Sequence, residues 1–260
     1  MFLAGCSWQG AHGKTRTKYR CFAPDGPAWA YRVRMTVPVQ SVRHPLATLW
    51  ATTVGVAGGS ASGLAGHELE EAYAAPDRVY HSTGHPLRVA YDAAVLGRSL
   101  RLDQDDRIAV MLAALAHDVV YRGSPDDEEL SAEWAVSALS SAGVPRGLVA
   151  RVRGLVLVTA AHVVPAGDGA AATLSDADLA VLGAGTATYE RYRAGVRHEF
   201  ARFDDAAWAC GRAAVLRRLL ARPGMFVSPA GRAKWEVRAR ENLTAELAGF
   251  SLWPGLLPVR

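Results

Sequence analysis

Apolar residues recur at helical spacing along most of this chain. From about residue 45, Leu46, Leu49, Val54 and Val56 predict a short helix that breaks at GGSASG, residues 58–63. A second is expected near Leu64–Tyr73, stopping before Pro76. A third follows Ser82 or Thr83 as its cap, with Pro86 in the first turn, and carries Leu87, Val89, Ala90, Ala93, Ala94 and Leu96 to about Gly97. Asp105 or Asp106 opens the fourth, which is expected to run to Tyr121–Gly123. Ser124-Pro125-Asp126 begins a fifth, through Leu130, Trp134, Ala135 and Leu139 to Gly143, and Pro145 opens a sixth with the apolar run LVLVTAAHVV. Beyond a Gly/Ala-rich link at 166–172, helices are predicted at about 175–182, Tyr189–Phe203, Ala206–Ala221 and Ala230–Ala248. Strand alternation and fixed-period repeats are lacking, so the expected fold class is all-α. We expect a single helical domain over 45–260 and an irregular or disordered N-terminal extension over 1–44.

The bulk numbers sharpen this picture only slightly. Half of the 260 residues are apolar and 21% are charged, as in globular proteins. No apolar run approaches the ~18–20 residues of a membrane-spanning helix, so no membrane partner is expected. Cys6, Cys21 and Cys210 lack metal spacing and suggest a reducing, cytoplasmic setting. The net charge of +4 is uneven: residues 1–34 carry +5 and the remainder −1. A basic tail is no basic groove, and nucleic acid is not indicated as a partner. LAGC at Leu3–Cys6 lacks the charged start and apolar stretch of a signal peptide. Met35 is the preferred natural start.

Several motifs fail on inspection. HELEE, His67–Glu71, lacks the second histidine of a zinc-protease helix. GGSASG fits neither a nucleophile elbow nor a phosphate loop and reads as a connector. Cys210 reads as a helix core residue rather than a nucleophile.

Five segments remain, each placing a histidine or a carboxylate on or beside an apolar helix. They are YHSTGHPLRVA (Tyr80–Ala90), AHDVVY (Ala116–Tyr121), DEELSA (Asp127–Ala132), TAAH (Thr159–His162) and DADLAVLG (Asp176–Gly183). An unpaired buried carboxylate costs several kcal/mol, and a divalent ion answers that need directly. Neighbouring His and Asp near a helix end can both turn toward one ion. A histidine from the preceding helix and an aspartate from a later one would complete a mixed set suited to Mn, Fe, Co, Ni or Zn rather than Ca.

Here the chain resembles the HD-domain metal-dependent phosphohydrolases, and more narrowly their bacterial predicted-phosphohydrolase branch. The resemblance spans about residues 45–250 and takes in the later YERYRAGVRHEF, GRAAVLRRLLARPGMF and RARENLTAEL. It implies an all-α fold binding one divalent ion (Mn, Fe, Co, Ni, Zn or Mg) through His85, His117, Asp118 and Asp178, with Asp176 competing for the last place. The branch motif Asn-Glu-Glu is matched at Glu128 but has Asp127 in place of its Asn.

The reaction expected of such a set is hydrolysis of a phosphomonoester or phosphodiester by direct attack of water, with a small phosphorylated molecule, a nucleotide among the candidates, as substrate. Asp118 and Glu128 are the candidate catalytic groups. His81, His162, Arg78 and Asp176 are candidates for substrate contact or for supporting the ligands. Each has a plainer reading: His81 a core-edge histidine, His162 a satisfied core histidine, Arg78 a surface ion pair, Asp176 a helix cap, Glu128 an acid favoured at a helix start. Two other classes stay open: a non-catalytic metal or nucleotide sensor, and a di-iron oxygenase recruiting His81 and His162.

Overall fold

The computed structural model describes residues 44–60 and 63–250, and they form helices without a strand. All but the last residue of the expected 1–44 extension, the choice between Met1 and Met35, Cys6 and Cys21 lie outside the described residues. No helix among the described residues is long and apolar enough to cross a membrane.

The helices are α1 (Pro45–Val56), α2 (Gly63–Tyr73), α3 (Gly84–Ser99), α4 (Gln104–Ala116), α5 (Asp127–Ser141), α6 (Arg146–Thr159), α7 (Gly169–Leu179), α8 (Thr186–Glu199), α9 (Asp205–Leu220), the single turn α10 (Pro229–Gly231) and α11 (Val237–Phe250). Helix α4 is the axis of the molecule and packs against α1, α3, α5, α6 and α7. Every residue from Leu112 to Ala116 is buried, and alanines there let neighbouring helices approach closely.

Four boundaries differ from expectation, each for a local reason. Helix α4 opens at Asp103, whose carboxylate accepts the Asp106 N–H, not at Asp105 or Asp106. It ends at Ala116 instead of Tyr121–Gly123, because the next amides bond outside the helix. Asp118 N–H donates to the Tyr73 hydroxyl and Val120 N–H to Ser131 Oγ. Helix α7 starts at Gly169, six residues earlier than expected, capped by Asp168 and burying Ala170, Ala171 and Ala172. The expected Ala230–Ala248 helix is instead α10, a π-turn at Arg232–Glu236, and α11. Smaller shifts follow the same logic: α8 runs Thr186–Glu199 rather than Tyr189–Phe203, α3 passes Gly97 to Ser99, and Thr83 makes no side-chain cap bond. Cys210 is exposed on α9, not in the core.

The last third is tied together by one buried charge pair. Arg212 on α9 donates to both Glu246 oxygens on α11, at 2.8 and 3.0 Å, and to the Tyr192 hydroxyl. Tyr189 adds a hydrogen bond to Glu246. Burial raises the Glu246 pKa, but Arg212 outweighs it and leaves the carboxyl below its ordinary range. Such a group stabilises the fold fully above about pH 4.5 and loses that contribution as pH falls through its lowered value. Glu246→Ala, which strands the buried guanidinium, is expected to cost about 3–5 kcal/mol in urea unfolding at pH 7. The difference from wild type should shrink as the medium is acidified.

Candidate metal centre

The His117-Asp118 pair sits where α4 stops. His117 occupies the cap position, its Nδ1 3.0 Å from the Ala114 carbonyl. A carbonyl only accepts, so Nδ1 carries the proton and Nε2 of the neutral ring presents a lone pair. His85, one residue into α3, brings its Nε2 to 3.0 Å from that nitrogen. Asp118 Oδ2 lies 3.2 Å from both nitrogens. Asp178, near the end of α7, puts Oδ1 3.2 Å from His85 Nε2 and 3.4 Å from His117 Nε2.

Donors bound at ~2.1 Å from a common cation stand ~3.0–3.4 Å apart in octahedral cis or tetrahedral arrangements. The His–His and His–Asp spacings, 3.0–3.4 Å, fall in that range, so the residues present fit a divalent ion. Two imidazoles and two carboxylates favour Zn, Mn, Fe, Co or Ni over Ca. A second grouping capable of holding a metal, His81, His85 and Asp118, shares His85 and Asp118 with these four.

The site has a floor and an open side. The imidazoles are 3% and 1% exposed, whereas Asp118 and Asp178 are 15% and 16% exposed and line a cavity of about 320 Å³. Burial alone would lower the pKa values of His85 and His117, but Asp118 and Asp178 raise them. Burial would raise both aspartates, and the histidines, His117 foremost, hold them well below the usual carboxylate range. In the ion-free cluster the carboxylates keep protons on the imidazoles, so a divalent ion competes with protons and binds more weakly as pH falls.

The remaining candidates divide. His81, His162 and Glu128 line the cavity with Asp118 and Asp178. His81 Nδ1 is 2.7 Å from Glu199 Oε2, which aims Nε2 toward Asp118 Oδ2, 3.9 Å away. His162 has φ +51°, a left-handed conformation unusual for histidine. Its Nδ1 meets Ser175 Oγ at 3.1 Å and its Nε2 is 3.5 Å from Asp178 Oδ2. Burial lowers its pKa, keeping the ring neutral.

Two candidates face elsewhere. Asp176 is fully buried and accepts hydrogen bonds from Val227 N–H, Ser228 N–H and the Ser228 hydroxyl at 2.6–2.8 Å, so it braces the start of α10. Asp178, not Asp176, meets the imidazoles. Arg78 donates to the carbonyls of Asp118 and Val119 at 2.6 and 2.9 Å and stacks over Tyr73 and Tyr121. It clamps the turn that carries Asp118 rather than lining the cavity. Asp127 likewise faces the loop before α5, accepting from Arg122 and Ser124 N–H groups.

Glu199 is the site residue that sequence reasoning missed. It accepts the backbone N–H groups of Val79, Tyr80 and His81 at 2.7–2.8 Å, besides the His81 ring and the Tyr121 hydroxyl. Its segment, YERYRAGVRHEF, stood out only as a whole string. Gly195, one turn earlier, allows the approach: a Cβ there would come within 3.0 Å of Tyr80 Cβ and 3.1 Å of its N.

The HD domain family model matches residues 83–181, from just before His85 to just after Asp178. Residues 83–181 therefore carry an HD domain. Searches of curated proteins and of solved structures return no match.

Two substitutions separate the aspartates. Asp178→Ala is expected to abolish retention of a divalent ion, read by elemental mass spectrometry. Asp176→Ala should keep the ion while losing about 1–3 kcal/mol of stability, because buried N–H groups lose their acceptor.

Proposed function

We propose that this protein is a metal-dependent phosphohydrolase that cleaves a phosphomonoester or phosphodiester by direct attack of water, without a covalent enzyme intermediate. The observation that carries this reading is the quartet of His85, His117, Asp118 and Asp178, with spacings of 3.0–3.4 Å, opening through its carboxylates into the cavity. When bound there, a divalent cation supplies Lewis acidity toward a phosphoryl oxygen and acidifies water.

The chain's own groups supply the rest. The two imidazoles would hold the ion from below and the two carboxylates from the cavity side. Asp118 is placed to orient the attacking water and accept its proton. His81, its Nδ1 proton held by Glu199, presents a basic Nε2 beside Asp118 as the next acceptor. His162, neutral and anchored on Ser175, offers Nε2–H to a phosphoryl oxygen. Glu128 stands on the cavity wall, where it can meet the leaving group. Arg78, Tyr73 and Ser131 fix the turn so that Asp118 keeps its place.

Elemental analysis and a screen with p-nitrophenyl phosphate and bis-p-nitrophenyl phosphate test this reading. Chelation should remove activity and divalent ions restore it. His117→Ala and Asp118→Asn should each lower kcat/KM by about 100-fold or more with helical content intact. Protein that is fully loaded with metal yet inert toward a broad panel of phosphate esters would refute hydrolysis and favour a sensor.

Glu199→Ala tests the support of His81. It is expected to reduce kcat more than it changes metal content, read by steady-state kinetics and elemental mass spectrometry on the same preparation.

A further inference from the structure

The cavity over Asp118 and Asp178 has a second charged end. Arg218 on α9 and Arg222, two residues beyond that helix, both line it. Arg222 donates to the carbonyl of Ala161 at 2.7 Å, which fixes its guanidinium one residue from His162. Both guanidinium groups line the one cavity, and burial and the Arg218 charge together lower the Arg222 pKa. Several arginines among the described residues meet carboxylates, as Arg151 does with Asp168 and Arg240 with Glu236. Arg218 and Arg222 form no such ion pair among the described residues. Two crowded guanidinium groups without a counter-charge are a ready receptor for an anion. The wall formed by Val181, Leu182, Val215 and Leu219 is apolar, and about 320 Å³ leaves room for a small organic molecule rather than a lone ion.

We propose that the substrate is a small phosphate ester bearing a second anionic group, phosphate or carboxylate. That group docks on Arg218 and Arg222 while the ester phosphate lies over Asp118 and Asp178 and an apolar spacer crosses the wall between them. This deepens the phosphohydrolase reading and rests on it.

Non-hydrolysable probes test the two-ended site by calorimetry on protein of measured metal content: an alkyl monophosphonate, alkyl bisphosphonates of graded length, and the matching phosphonocarboxylates. At least one doubly anionic probe is expected to bind about tenfold or more tighter than the monophosphonate, with an optimum chain length. The better of the two series identifies the second group. Arg218→Gln should bring the affinity ratio close to one, and Arg218→Lys should restore part of it. Among the described residues Arg218 makes no hydrogen bond, so its variants are expected to melt like wild type. Equal affinities in metal-loaded protein, or a preference that survives Arg218→Gln and Arg222→Gln together, would overturn the proposal. Failure to hold metal or to turn over esters would instead defeat the hydrolase reading, because the affinity ratio is measured without turnover.

Discussion

Four polar donors, from two helices and the turn that ends a third, meet inside a molecule whose centre is otherwise alanine, leucine and valine. That meeting is the constraint the rest of the structure serves. Gathering two carboxylates and two imidazoles away from water costs several kcal/mol unless protons or a cation lie between them. Either way each donor must be held still. Ala114 orients His117, while Tyr73, Arg78 and Ser131 grip the turn behind Asp118. The small residues of α4 bring the helices close enough for opposing side chains to touch.

Much of this was legible in the chain because helices announce themselves locally. Apolar spacing, a capping residue or a proline marked most of the elements. Errors cluster where tertiary partners overrode local preference. Tyr73 and Ser131 captured amides that a longer α4 would have used, so His117 and Asp118 lie past the helix end. The alanine-rich start of α7 read as a link because it has no polar face. That stretch is buried on all sides, so amphipathic periodicity could not reveal it.

The site was legible in part, and for a related reason. A histidine next to an aspartate has intrinsic metal chemistry and draws notice as a pair. Asp176 and Asp178, two residues apart on one helix, differ only in what lies opposite: backbone amides of 227 and 228 for one, imidazoles for the other. No local signal separates them. Glu199 was invisible as a single residue because its partners lie about 120 positions away. Arg78 could not be told from a phosphate ligand until its guanidinium was found spanning two carbonyls.

The two sides of the cavity come from different stretches of chain. Asp118 and Asp178 fall within residues 83–181, whereas Val215, Arg218 and Leu219 belong to α9, which leans on α11. On the proposed hydrolase reading, chemistry and molecular fit are thus housed separately. Exchanging a few inward side chains of α9 would alter which compound is admitted while leaving the machinery beneath untouched, which makes that helix the natural handle for redirecting the protein to new compounds.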